Sequence, residues 1–197
     1  MHGFLYWFHK NYKEREFLGD DIIYIMEKLS KNGMGCISAC NRGYHSPEFF
    51  NDCIKDIEAN ISFLKKKGFK KIILMGHSLG GAKAAYYSGK TKSSDLVALI
   101  LMSAIPAISD LYRSKYYNSV IKEAKKRVIN DTPELIFSRK EGTTINLYHP
   151  RIYLKNVKSM YKGNTLDILK QTKVPILSIA AENEWDWFHE VTLGVKE

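Results

Sequence analysis

Apolar residues in the first third of the chain alternate between helical spacing and one short continuous run. Within residues 17–31 they recur every three or four positions, which predicts an amphipathic helix. Residues 34–39 are a short apolar run and predict a strand. Helical spacing returns over residues 46–67, where Ser46 is a suitable N-cap and Gly68 ends the predicted helix.

The same alternation continues toward the carboxyl end. Residues 71–75 and 96–102 are apolar runs that predict buried strands, and a predicted helix of small residues at 82–88 lies between them. A short helix is predicted over residues 166–171, and a last strand over residues 174–180. Strands that alternate with helices in this way indicate an α/β fold with a parallel sheet covered on both faces.

One stretch, residues 106–164, breaks this rhythm. It contains a helical piece at 116–128 and polar segments, such as 138–146, that predict irregular structure. The pattern therefore divides the chain into an α/β core over residues 1–105, an insertion over the sheet, and a return to the core over residues 165–197.

Length and composition predict one folded domain. The chain has 197 residues, of which 45% are hydrophobic, and this is enough for a core. No apolar run reaches the roughly 18 residues of a membrane span, and no signal peptide is recognisable at the start. Cys36, Cys40 and Cys53 lack the spacing of a disulfide framework or a zinc site, which favours reduced thiols and a cytoplasmic location.

The net charge of +9 is best explained by a solvated surface rich in lysine. Lysines within residues 65–71 flank the end of a predicted helix, where cations are favourable. A nucleic-acid interface would need basic residues interleaved with aromatic residues, or a known module, and neither is present in the sequence. We therefore expect no nucleic-acid partner, although a cationic surface can attract anionic substrates.

Residues 76–80, Gly-His-Ser-Leu-Gly, match the pattern G-x-S-x-G. They lie between an apolar predicted strand and a helix rich in glycine and alanine, which is the context that the motif requires. Such a turn lifts the hydroxyl of Ser78 out of the sheet edge and brings the N–H of Leu79 to a helix N-terminus, where an oxyanion would form. A glycine-rich turn with an idle serine is the structural alternative.

On this motif the chain resembles the α/β-hydrolase superfamily of serine esterases, lipases and peptidases, and the resemblance covers nearly the whole chain. Residues 2–4 resemble the family's His-Gly oxyanion loop, and residues 41–46 the loop after its fourth strand. Residues 106–164 fall where the family inserts a helical cap. Residues 174–181 resemble the strand that precedes the catalytic acid.

The resemblance implies acyl transfer to water. Ser78 would attack a carbonyl carbon, the N–H groups of Leu79 and Phe4 would bind the oxyanion, and no metal or organic cofactor is implied. The same analogy puts three further residues beside the substrate: His2, Gly3 and His77.

The resemblance leaves two candidates for the catalytic acid. The family often has an aspartate three residues after the small residue that ends the strand, and counting from Ala181 leads to Glu184. Asp186 is the alternative. Either could instead be an ordinary solvated carboxylate.

The chain departs from the family at both ends. The family's histidine follows the acid by one more strand, yet this chain ends at Glu197. His45 and His189 are the remaining candidates for a substitute base, because the other four histidines have no support from a motif or lie unsuitably for the serine. The strand expected before residues 2–4 is also missing. We therefore expect a fragment that lacks the early strands, the last strand and the catalytic histidine.

These residues predict a serine hydrolase that acts on a small-molecule carboxylic ester or a related acyl substrate. The alternatives are an acyltransferase or a carbon–carbon hydrolase on the same fold, and a non-catalytic relic that binds a ligand or partner.

Overall fold

The described part of the chain covers most of the predicted elements. The computed structural model describes residues 19–38, 49–106, 115–132, 137–141, 144–160, 164–184 and 186–195. The predicted oxyanion loop at residues 2–4 and the predicted loop at residues 41–46 lie outside these ranges.

Helices and strands alternate through the first half of the chain. In chain order they are α1 (Gly19–Lys31), a 3-10 turn (Phe50–Asp52), α2 (Cys53–Lys66), β1 (Ile72–His77), α3 (Leu79–Thr91) and β2 (Leu96–Met102). The prediction for β2 is confirmed at both ends. Helix α3 begins earlier than the predicted residue 82, because it follows Ser78 directly.

The second half contains a hairpin as well as helices. Its elements are α4 (Lys115–Ile129), β3 (Phe137–Glu141), β4 (Thr144–Tyr148), α5 (Pro150–Met160), α6 (Thr165–Leu169), β5 (Ile176–Ile179) and α7 (Asp186–Gly194). Strands β3 and β4 pair antiparallel, from Phe137 opposite Tyr148 to Glu141 opposite Thr144. The prediction of irregular structure over residues 138–146 is therefore wrong. Pairing between the two strands of a hairpin satisfies the backbone groups of a segment that local sequence patterns predict as irregular.

The predicted strand at residues 34–39 is also wrong over its described part. Residues 34–38 form no strand, and the side chains of Met34 and Ile37 are 45% and 41% exposed. Among the described strands, none pairs with this segment. An extended run without a neighbour has no ladder hydrogen bonds to hold it.

A three-stranded parallel sheet in the order β1-β2-β5 organises the core. Leu74 lies opposite Leu99, and Leu99 lies opposite Ile176. The pairing of β1 with β2 is regular from Ile73 onward, after one shift in register between Ile72 and Ile73. Because the strands are parallel, their carboxyl ends meet at one edge, which we call the carboxyl edge of the sheet. The residues that follow β1, β2 and β5 are therefore brought together there.

One face of this sheet carries the main core. Leu99 and Leu101 are fully buried on β2 and pack with Ala84 of α3, Leu169 of α6 and Val191 of α7. This packing fixes the direction of α3, and with it the turn at its start. A second cluster joins α2 to α3 and to the beginning of the strands; its buried members are Cys53, Ile57, Ile61, Ile72, Tyr87 and Leu96.

The described surface includes the lysine cluster at the end of α2. Lys65 Nζ forms an ion pair with Asp95 Oδ1 at 2.8 Å, and the side chain of Lys65 is 52% exposed. Such exposed pairs contribute little to stability, so the cluster acts mainly as a solvated surface. None of the described helices is long and apolar enough to span a bilayer.

Candidate active site

Ser78 is the single residue between β1 and α3, and its backbone is strained. Its φ of 54° and ψ of −122° lie where residues with a side chain are rarely found. Such a conformation costs about 1–3 kcal/mol and persists only where the surroundings enforce it. The surroundings here are backbone bonds: Ser78 N donates to Met102 O at 2.9 Å, and Ser78 O accepts from Gly81 N at 2.9 Å.

Glycines let the strand and the helix meet around this turn. A β-carbon on Gly76 would overlap the carbonyl group of Gly80 and lie 2.7 Å from Gly81 N. A β-carbon on Gly81 would lie 2.6 Å from the β-carbon of Ala104. The close backbone approach predicted from the motif is therefore present at Gly76, and it extends to Gly81, one position beyond the motif.

Ser78 itself is half-buried, and the turn presents it at the carboxyl edge of the sheet. Leu79 opens α3, so its N–H belongs to the first helical turn, where amides have no intrahelical acceptor. The positive end of the helix dipole lies at the same place. This arrangement favours negative charge beside Ser78.

Glu184 is held at the same edge by two donors. The Ser103 hydroxyl donates to Glu184 Oε2 at 2.6 Å, and Ala181 N donates to the same oxygen at 3.0 Å. Glu184 N in turn donates to Ala181 O at 3.2 Å, which closes the turn after β5. The carboxylate is half-buried and anchored rather than free in solvent.

The two candidate acids occupy different surroundings. Asp186 opens α7 and is exposed, and an acidic residue in the first turn of a helix is favourable in its own right. Glu184 lies in the turn that follows β5, at the carboxyl edge, as Ser78 does after β1. Of the two, Glu184 shares the edge of the sheet with the serine.

His77 ends β1 and is half-buried. Burial lowers the pKa of the His77 imidazole below its usual value of 6.5, while the negative charge of Glu184 opposes this by raising the pKa. The lowered pKa makes the neutral imidazole the main form at pH 7. The effect of Glu184 also indicates that its charge is close enough to act on the residue beside the serine.

The other histidines give no general base within the described residues. His189 lies half-buried on α7, and His149 precedes α5, where its Nδ1 accepts from Ile152 N at 3.5 Å. Among the described residues, no histidine hydrogen-bonds Ser78 or Glu184. The predicted residues His2, Gly3, Phe4 and His45 lie outside the described ranges.

Ser103 is the site residue that the sequence analysis missed. It directly follows β2 and is 8% exposed, and its φ is 43°. Ser78 and Ser103 are thus two of the four non-glycine residues with positive φ in the described ranges, and both lie at the carboxyl edge. The available signal was a small polar residue at the end of a buried parallel strand, which is where such sheets place their sites.

The described residues contain no group of three or more His, Cys, Asp or Glu side chains that could hold a metal ion. The carboxyl edge presents the Ser78 hydroxyl, the Glu184 carboxylate and backbone amides.

Sequence comparison assigns most of the chain to one family. The family model described as Serine aminopeptidase, S33, matches residues 31–183. The match includes Ser78 and Ser103 and ends one residue before Glu184. A search of curated proteins found no match.

Solved structures of low sequence identity share the fold. Est1E from Butyrivibrio proteoclasticus has a TM-score of 0.60 at 16% identity, with 98% of this chain and 70% of that chain covered. A putative hydrolase from Agrobacterium vitis S4 has a TM-score of 0.53 at 13% identity, covering 90% and 68%. A structure from a study of carboxylesterases of Nitrososphaera gargenis has a TM-score of 0.50 at 15% identity, covering 88% and 71%.

Proposed function

The chain belongs to the serine aminopeptidase S33 family of α/β-hydrolases, and we propose that it is a serine hydrolase whose nucleophile is Ser78. The observation that carries this proposal is the turn between β1 and α3. It holds Ser78 at a φ of 54° in front of the first amides of a helix. Backbone strain of this kind clusters at active sites, so a strained serine in this turn supports a role for its hydroxyl.

The proposed reaction is acyl transfer to water in two steps. The Ser78 oxygen attacks the carbonyl carbon, its proton passes to a general base, and the resulting oxyanion accepts hydrogen bonds from the N–H of Leu79 and, by the family resemblance, of Phe4. On collapse the leaving oxygen takes up that proton and departs as the alcohol. Water then gives a proton to the same base and attacks the acyl-serine, which releases the carboxylic acid and restores the Ser78 hydroxyl. Loss of one oxyanion donor typically costs about 3–4 kcal/mol in the transition state.

Glu184 is proposed as the acid that orients the base. A carboxylate in this role must be fixed, because it sets the tautomer and direction of an imidazole. The bonds from Ser103 and Ala181 supply that fixation, whereas Asp186 is exposed at the start of α7. This difference supports Glu184 over Asp186.

Carboxylic esters are proposed as the substrates. One structure that shares the fold comes from a study of carboxylesterases, which supports ester cleavage. The name of the matching family model refers to an aminopeptidase. Cleavage of an amide is therefore the alternative activity that the experiment has to distinguish from ester cleavage.

Hydrolysis of short p-nitrophenyl esters tests the proposal, with an aminoacyl p-nitroanilide as the amide substrate. We expect ester hydrolysis that Ser78→Ala abolishes and that Ser94→Ala leaves unchanged, because Ser94 is an exposed serine between α3 and β2. Ester hydrolysis at the same rate in Ser78→Ala would contradict the role of Ser78. Cleavage of the anilide without cleavage of the esters would contradict the substrate class alone.

A further inference from the structure

We propose that Ser103 is a positioning residue, whose hydroxyl fixes the carboxylate of Glu184 in the orientation needed beside the nucleophile turn. This inference rests on the proposed roles of Ser78 and Glu184. It adds a third side chain to the site, contributed by β2, the central strand of the sheet.

The contact between Ser103 and Glu184 is a short hydrogen bond to a carboxylate. Ser103 Oγ lies 2.6 Å from Glu184 Oε2, within the range of hydrogen bonds between a hydroxyl and an ionised carboxylate. Such bonds are roughly twice as strong as neutral ones. Since an ionised carboxylate only accepts, the single proton of the Ser103 hydroxyl is directed at Glu184.

The backbone conformation of Ser103 supports its positioning role independently of the hydrogen bond. Its φ of 43° is one that glycine adopts without strain and serine rarely adopts. The conformation is held by the bond from Ser103 N to Ile179 O at 2.7 Å, which continues the pairing of β2 with β5. A strained residue with a side chain at this position is explained if the side chain has a task that glycine could not perform.

The segment that follows Ser103 also holds the nucleophile turn. Ile105 N donates to Ser78 O at 3.4 Å. Helix α6 anchors the segment, since Thr165 Oγ1 donates to Ile105 O at 2.7 Å and Thr165 N donates to Pro106 O at 2.8 Å. Ser103 therefore belongs to a fixed segment that contacts the acid through a side chain and the nucleophile through the backbone.

Without the hydroxyl, the bond from Ala181 N is the one that the described residues would still supply to Glu184 Oε2. One donor on the neighbouring turn leaves the carboxylate free to rotate about its side-chain torsions. Misplacement of a positioning group by about 1 Å can reduce a rate roughly 100-fold. A role limited to stability would instead lower the unfolding midpoint and leave the turnover of the folded protein unchanged.

The test compares Ser103→Gly, which removes the hydroxyl and relaxes the backbone, with Ser103→Thr, which keeps the hydroxyl. We expect kcat to fall on the order of 10- to 100-fold in Ser103→Gly with KM nearly unchanged, and to recover in part in Ser103→Thr. In a Glu184→Gln background, Ser103→Gly should reduce kcat no further. The matched control is Ser178→Ala, which removes a serine hydroxyl of β5 that bonds Thr192 Oγ1 at 3.0 Å instead of Glu184.

A second readout needs no turnover and separates this inference from the proposed function. NMR titration of His77 in the full chain reports the charge of Glu184, which raises the pKa of that imidazole. In Ser103→Gly the pKa of His77 should fall, because the carboxylate leaves its fixed place, whereas Ser178→Ala should leave it unchanged.

An unchanged His77 pKa in Ser103→Gly would overturn the inference, as would an equal loss of kcat in Ser178→Ala. If instead Ser78→Ala retains full ester hydrolysis, the proposed function fails while the His77 titration still decides whether Ser103 positions Glu184.

Discussion

Gly76 and Gly80 meet backbone to backbone, so that a β-carbon on Gly76 would overlap the carbonyl oxygen of Gly80. The end of β1 and the first turn of α3 can therefore approach only because no side chain intervenes. This approach leaves Ser78 as the one residue of the turn and forces its positive φ. The close approach of β1 and α3 therefore requires glycine at position 76 and accompanies the strained backbone of Ser78.

The first prediction concerns Gly76. We expect Gly76→Ala to lower the free energy of unfolding by about 1–3 kcal/mol or more, because the atoms that the new β-carbon meets are backbone atoms that cannot move aside. Urea denaturation measures this. The control is Gly68→Ala, which strains only its own backbone at a φ of 91°, because Gly68 has open space around it. Gly76→Ala should also slow ester hydrolysis, and Gly68→Ala should not; equal rates in the two folded variants would contradict the account of the turn.

The second prediction separates the two acids. In a version of the protein that includes the family's catalytic histidine, Glu184→Gln keeps the shape of the side chain but removes the charge that orients and stabilises that imidazole, and kcat should fall by roughly 10³- to 10⁴-fold. Asp186→Asn changes an exposed residue and should alter kcat less than threefold. Steady-state kinetics on one ester measures both. The reverse order of effects would assign the acid to Asp186.

The third prediction is a dependence of stability on pH that comes from His77. Burial lowers the pKa of this imidazole below 6.5 in the folded protein, and the opposing charge of Glu184 is the smaller effect. The unfolded chain then binds the proton more readily, so the stabilising contribution is complete above pH 6.5 and is lost as the pH falls toward the lowered folded value. The free energy of unfolding should therefore decrease more between pH 7.5 and pH 5.5 in the wild type than in His77→Gln. Parallel curves for the two proteins would show that His77 is not buried as described.

The regular part of the fold follows from local sequence patterns. The apolar run of β2 and the helical spacing of α2 predict elements that the structure confirms, because burial on a parallel sheet needs continuous apolar strands and a helix needs one apolar face. Residues 34–38 show the limit of such reasoning. A short apolar run becomes a strand only beside a partner, and no described strand provides one.

Two other elements were beyond local patterns. The hairpin of β3 and β4 depends on pairing between two short strands, which the mixed sequence of residues 138–146 does not indicate. Helix α7 has nine residues, too few for helical periodicity to predict it, yet its Val191 is fully buried against the core.

The sequence predicts the part of the candidate site that lies within one short motif. The pattern of residues 76–80 predicts the turn, and the structure has that turn with Ser78 at a φ of 54°. The bond from Ser103 to Glu184 joins residues that are 81 positions apart, and no spacing rule connects them. Only the sheet order, with β2 between β1 and β5, brings the two together.

The most direct measurement is the reaction of the folded protein, in a version that includes the family's catalytic histidine, with a fluorophosphonate, followed by intact mass and peptide mapping. A nucleophilic serine facing helix amides should give one phosphonyl adduct located on Ser78, absent in Ser78→Ala and formed more slowly in Gly76→Ala. An unmodified Ser78 under conditions that label a known serine hydrolase, or an adduct only on another residue, would contradict the claim that this turn activates Ser78.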